Sequence, residues 1–248
     1  MTLQFTVSPD FTPDHLSGWF IFNTWLQRTL DLPVHLQIYD DFHSQREAIR
    51  TDAVDLIYAN PYDAAMLVRD KGFRPLVKPE SRADEALIAV SAESEYHHVE
   101  DLKPGIRLAI TEDPDVHMMG MIMLEPADLD AGSVQTRTCD GYVLVAKELL
   151  RRNSDAGIFL VEAYDDLSSV IRNQLRVLVR SHIHVVHHSL MLGPRLAGQR
   201  ELLLDALVNM HSCEKGRGVL EALKFSRWEA VDDEEMEFMI DLVDTLMT

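Results

Sequence analysis

The sequence predicts an α/β fold with mainly parallel sheets, and two observations carry that reading. Short runs rich in β-branched and aromatic residues recur at 4–7, 34–39, 55–58 and 73–77. Between them, apolar residues fall at helical spacing. Strands that alternate with helices call for crossover connections, hence parallel pairing.

The elements follow in order. After the first strand and a Ser8-Pro9-Asp10 loop, Thr12-Pro13-Asp14 starts a helix, with proline in its first turn and an acid at its positive end. Leu16, Trp19, Phe20, Phe22, Trp25, Leu26 and Leu30 form an apolar stripe that reads as core. Asp41-Phe42-His43 opens a second helix, and Thr51-Asp52-Ala53 turns the chain into a buried strand that ends in Asn60-Pro61-Tyr62. A helix over 63–71 stops at Gly72. Further strands are predicted at 85–91, 106–110, 155–161 and 175–179, and helices after Asp115 and over 141–152. Residues 181–191 read as one long extended run, followed by amphipathic helices. In the tail, Met236, Ile240, Val243 and Leu246 keep helical spacing.

Composition narrows the function classes. The 248 residues suffice for one large domain or two small ones. With 23 basic and 41 acidic residues the formal charge is −18, which disfavours nucleic acid and anionic membrane surfaces as partners. No apolar run reaches the ~18–20 residues of a membrane span. Cys139 and Cys213 form no paired motif and are expected as free thiols. The start, Met1-Thr2-Leu3-Gln4-Phe5, reads as the first strand, with no basic and apolar leader pattern. The expected location is therefore the cytoplasm, or the periplasm if a leader precedes this sequence.

Several segments fall in an order that resembles a known family. They are the helix–strand–loop over 41–62, the strand over 85–91, the connector over 99–110, and the stretch 204–223 with Ala206-Leu207 and Gly216-Arg217-Gly218-Val219-Leu220. The chain resembles the phosphonate/phosphite/phosphate-type substrate-binding proteins of ABC importers. The resemblance implies a two-lobed type II periplasmic-binding-protein fold, with strands crossing near Ile88 and Val185. Lobe one would comprise 1–88 plus 187–248, and lobe two 89–186. It implies a binder that closes on a small molecule in an inter-lobe cleft, rather than an enzyme, with no cofactor and no metal.

In such sheets ligands sit beyond the carboxyl ends of the strands. The family's contacts map by position onto six loops. Asp10 and Phe11, Asp41 and Phe42, and Asn60 and Tyr62 belong to the first lobe. Asp113, Asp115, His117 and Met118, then Cys139 and Asp140, then Glu162 and Tyr164 belong to the second. The departure from the family lies at Asp113-Pro114-Asp115-Val116-His117-Met118-Met119-Gly120, where a Ser/Thr-rich turn is usual. Two carboxylates stand where an oxyanion would bind, so phosphate and phosphonate are expected to bind weakly, and an amine or zwitterion better. Phe11, Phe42, Tyr62 and Tyr164 would suit an aromatic cage for an alkylated amine, or simple lobe packing. Asp113 or Asp115 equally suits a helix cap.

Other readings stay open. Met118, Met119, Met121 and Met123 with His117 suggest either a soft-metal face or core filler. His182, His184 and His188 would share one side of an extended strand, with His187 opposite. An enzyme using the same cleft would draw on Cys139 with His117 as base. A third reading is a binding protein that has lost its ligand and contacts another protein, for which Asp232-Asp233-Glu234-Glu235 offers an acidic surface.

Overall fold

The structure, a computed structural model, describes residues 2–10 and 16–247, with side chains through 244. Phe11, the Thr12-Pro13-Asp14 helix start and the Leu246 side chain lie outside the described residues. The chain forms two compact units, one from Met1–Arg82 with His187–Thr245, the other built on Ala83–Val186.

The first unit holds a six-stranded sheet. Its strands are β1 (Leu3–Val7), β2 (Val34–Gln37), β3 (Leu56–Ala59), β4 (Arg74–Pro79), β10 (Ser189–Leu192) and β11 (Trp228–Ala230). Their spatial order is β11-β4-β10-β3-β1-β2. β1 pairs in parallel with β2 and β3, whereas β10 runs antiparallel between β3 and β4. Thus β2, β1, β3 and β4 all run one way, and β10 enters against them because the chain returns there from the other unit. Helices α1 (Leu16–Leu30), α2 (Phe42–Arg50), α3 (Pro61–Lys71), α8 (Arg200–Val208), α9 (Glu214–Ala222) and α10 (Asp233–Met247) complete the unit. Gly72 closes α3 at φ 65°, donating its N–H to Leu67 O.

The predicted stripe on α1 forms the core with one correction. Trp19, Phe22, Leu26 and Leu30 are buried, but Phe20 is 52% exposed. At 100° per residue, position 20 falls off the face set by the i, i+3, i+7 and i+11 residues. Trp19 packs its ring 4.7 Å from Tyr58 and 6.0 Å from Phe5. Each fully buried large apolar side chain contributes about 1.5–3 kcal/mol.

The second unit holds β5 (Ala86–Ser91), β6 (Arg107–Ile110), β7 (Gln135–Thr138), β8 (Ala156–Leu160) and β9 (Leu175–Arg180) in the order β7-β6-β8-β5-β9. β6 pairs in parallel with β7 and β8; β5 is antiparallel to both β8 and β9. Ala86 and Leu87 pair with Leu160 and Phe159, so residues 86–88 belong to this sheet rather than to lobe one. Helices α4 (Pro114–Leu124), α5 (Tyr142–Leu150), α6 (Val161–Asp165) and α7 (Ser169–Arg172) accompany it. Gly120 lets α4 lie close to β8, because a Cβ there would meet Ile158 Cδ1 at 2.4 Å.

Two expectations need correction. The edge strand β7 went unpredicted, since Gln135-Thr136-Arg137-Thr138 has no apolar face. The extended run over 181–191 is broken, because His184 takes a left-handed φ of 58° while its N–H bonds Glu85 Oε1 at 2.7 Å. The histidines therefore do not alternate along one strand.

Gly18 marks the close approach of α1 to α9: a Cβ there would stand 2.2 Å from Ala222 O. Backbone cannot yield as a side-chain tip can. Gly18→Ala is expected to cost about 1–3 kcal/mol, lowering the melting midpoint by roughly 2–4 °C per kcal/mol. An unchanged midpoint in a thermal melt would contradict this packing.

Candidate functional site

In the first unit the candidate residues lie beyond the carboxyl ends of β1, β2 and β3. β1 runs out into Ser8, whose N–H donates to Tyr58 O at 2.8 Å. Asn60 caps α3: its Oδ1 accepts from Asp63 N at 2.7 Å, and its Nδ2 donates to Ser8 Oγ at 3.1 Å and Asp63 Oδ2 at 3.0 Å. Both amide hydrogens of Asn60 are therefore spent inside the protein. Asp41 caps α2, accepting from Ser44 N at 2.7 Å and Ser44 Oγ at 3.0 Å. These bonds hold its carboxyl below the usual carboxylate range. Asp10 Oδ2 meets His188 Nε2 at 2.9 Å, and the His188 ring stacks on Tyr58 with centroids 5.3 Å apart.

Phe42 and Tyr62 do come together, but around a residue the sequence reading missed. The Arg46 guanidinium lies 5.2 Å from the Phe42 ring centroid and 4.7 Å from that of Tyr62. Its Nε bonds Asp63 Oδ1 at 2.6 Å. The two rings thus already hold a cation of the protein itself. The local signal was present: Phe42 and Arg46 stand at i, i+4 on a helix. Tyr62 enters from a separate helix, and no spacing rule in the sequence announces that.

In the second unit the candidates lie beyond β6, β7 and β8. Asp113 is the N-cap of α4, and its Oδ1 accepts from Val116 N at 3.3 Å. Its Oδ2 accepts from Tyr142 Oη at 2.8 Å, a partner also missed from sequence. Asp115, on the first turn, is 2% exposed. The capping reading of Asp113 therefore holds. Met118 and Met119 are buried, consistent with core filling. His117 is half-buried, its Nδ1 has no hydrogen-bond partner among the described residues, and burial depresses its pKa, favouring neutral imidazole.

The remaining candidates divide. Asp140 and Glu162 are exposed. Tyr164 is buried in the unit's core against Phe159, with centroids 5.4 Å apart. Phe42 and Tyr62 belong to the first unit. Cys139 is buried in the same core, and burial pushes its thiol pKa up. A protonated buried thiol is a poor nucleophile.

Of the helix starts at these strand ends, α2, α3 and α4 are capped by the chain's own side chains, whereas α5 and α6 begin at Gly141 and Leu160 with no side-chain cap. α3 and α4 begin with proline, which has no N–H, and their Asp63 and Val116 amides are taken by Asn60 and Asp113. α2 gives its Ser44 amide to Asp41. Helix N-termini bind anions through free amides, and at α2, α3 and α4 one such amide each is taken by the cap.

With this geometry the family comes into view. Residues 5–236 match the model of the phosphonate ABC transporter periplasmic substrate-binding proteins, and the chain belongs to that family, one of substrate-binding proteins rather than enzymes. No curated protein sequence matches the chain. Among solved structures it is similar to PhnD1 from Prochlorococcus marinus in complex with methylphosphonate, at 12% identity over 99% of this chain and 98% of that one, with a TM-score of 0.82. XAC2383 from Xanthomonas citri, bound to ATP, gives 16% identity over 99% and 98%, with a TM-score of 0.81. A binding-protein component of an ABC phosphonate transporter from Pseudomonas aeruginosa gives 17% identity over 100% and 89%, with a TM-score of 0.78. These likenesses show a type II periplasmic-binding-protein-like fold. No described helix is long and apolar enough to cross a membrane.

Two predictions follow from the local chemistry. At neutral pH, exposed Cys213 should react with iodoacetamide well before buried Cys139; faster labelling of Cys139, read by peptide mass, would contradict its burial. Burial raises the Asp63 pKa despite Arg46. Folding then favours its protonated form, so its contribution to stability is fully present below about pH 4 and is lost as pH rises through the folded value. Stability measured against pH should fall less steeply above pH 4 in Asp63→Asn than in the parent, whereas identical profiles would contradict the shift.

Proposed function

We propose that this substrate-binding protein takes a small organic ligand bearing an ammonium group, and that phosphate or simple alkylphosphonates bind weakly. One observation carries the reading: at the start of α4 the Val116 amide is occupied by Asp113, with Asp115 buried one turn-position away. A phosphoryl group arriving there finds carboxylates in place of donors. At an effective dielectric of 20, a unit charge about 4 Å from a carboxylate feels about 4 kcal/mol before desolvation. The sign decides the ligand: an ammonium is attracted and an oxyanion repelled by that amount per carboxylate. The solved relatives carry methylphosphonate or ATP, and the acidic turn argues that this chain's ligand differs from those.

Isothermal titration calorimetry at pH 7 tests the reading. Phosphate, methylphosphonate, ethanolamine, choline and 2-aminoethylphosphonate form the panel. At least one amine-bearing compound should bind about tenfold or more tighter than methylphosphonate, a difference of about 1.4 kcal/mol. Methylphosphonate or phosphate binding as tightly as every amine would overturn the proposal.

A further inference from the structure

The turn between β7 and α5 carries a reactive backbone pair. When aspartate or asparagine precedes glycine, or to a lesser degree serine, the following amide nitrogen can close a five-membered ring on the side-chain carbonyl carbon. Little bulk then stands beside that nitrogen, and glycine leaves the backbone free to turn. The sequence holds one Asp-Gly pair, Asp140-Gly141, no Asn-Gly pair, and one Asn-Ser pair, Asn153-Ser154. Both pairs lie in the second unit, and the fold treats them differently.

At Asn153-Ser154 the nucleophile is locked. Ser154 is buried, and its N–H donates to Glu148 O at 3.3 Å; the Asn153 N–H donates to the same oxygen at 2.9 Å. Ring closure there would break the Ser154 bond and rotate a buried peptide plane, leaving backbone polar groups without partners. At Asp140-Gly141 nothing holds the reacting groups. Asp140 is exposed. Among the described residues, no hydrogen bond is made to the Asp140 carboxylate or by the Gly141 N–H. A Cβ added at Gly141 would meet nothing within 4 Å, so the space around the turn is open. The flanks are fixed instead. The Cys139 N–H donates to Ile110 O at 2.8 Å, and Gly141 O accepts from Leu144 N at 2.9 Å and Val145 N at 3.1 Å. Freedom is confined to the link between them.

We infer that Asp140-Gly141 is a self-modifying site, which converts to isoaspartate in the folded protein while Asn153-Ser154 stays intact. The Gly141 nitrogen bonds to Asp140 Cγ. A carboxyl oxygen leaves as water, taking the N–H proton and the carboxylic proton, and a succinimide remains. Water then opens the ring. Cleavage between the nitrogen and Cγ restores aspartate. Cleavage between the nitrogen and the main-chain carbonyl carbon routes the chain through Cγ and frees the main-chain carboxylate. One water leaves and one enters, so the step needs no other reactant. The product keeps the mass and has one more main-chain atom between Cys139 and α5.

The experiment incubates the full chain, folded and at neutral pH, in water enriched in oxygen-18, then digests it for peptide mass analysis. Each passage through the ring replaces one oxygen. The peptide holding Asp140 should gain label and split into two chromatographic forms of equal mass. The peptide holding Asn153 should stay unchanged in the folded chain and deamidate in urea. Asp140→Glu, which would need a six-membered ring, should stay unlabelled. Gly141→Ala should label about tenfold more slowly, a difference of about 1.4 kcal/mol in the barrier. Gly141 is extended, with φ 164°, and an added Cβ is unopposed, so this variant keeps the fold, and a thermal melt that coincides with the parent's checks it. No label at Asp140 in the folded chain would overturn the inference. So would equal rates at Asp140 and Asn153 in the folded chain, or equal rates in Gly141→Ala and the parent.

Discussion

A helix has few free amides at its start, and what occupies them decides which charges the neighbouring loop accepts. In this protein α2, α3 and α4 begin at the carboxyl ends of parallel strands, where a binding fold would present donors to an anion. Asp41, Asn60 and Asp113 each take one of those amides, while α5 and α6 begin with no side-chain cap. The consequence is chemical as much as structural. Each cap stabilises its helix by about 1 kcal/mol, and at α2 and α4 it also places a carboxylate at the helix start.

The same local rules explain what was legible in the sequence. Asn60-Pro61 and Asp113-Pro114 are cap-plus-proline pairs, and both start helices. Gly72 ends α3 in the left-handed conformation its position calls for. The α1 stripe gave the core, apart from Phe20, whose type misled where its angular position did not. What escaped was set by partners distant in sequence. β7 is a strand only because β6 offers it a ladder, from Arg107 with Gln135 to Ile110 with Thr138. The 181–191 run looked continuous, yet Glu85 draws the His184 amide and bends it.

The candidate site was legible as a set of loops and less so as a set of roles. Asp10, Asp41, Asn60, Asp113 and Asp115 all stand at strand ends, as positional reasoning placed them. Their duties came from contacts no motif encodes: His188 on Asp10, Tyr142 on Asp113, Ser8 on Asn60. Aromatic residues were the least transparent. Phe42 and Tyr62 embrace Arg46, whereas Tyr164 fills a core with Phe159. An aromatic side chain near a strand end serves packing and recognition equally well, and only its neighbours decide.

The most direct measurement of the central claim rewrites the acidic turn. Asp113→Ser combined with Asp115→Ser keeps a capping side chain at the start of α4 and removes both carboxylates. The account predicts that this variant gains affinity for methylphosphonate, by about tenfold or more in calorimetry, and loses its preference for amines. A variant that stays folded, with methylphosphonate affinity unchanged or lower and amine binding intact, would contradict the claim that these two carboxylates set the ligand's charge.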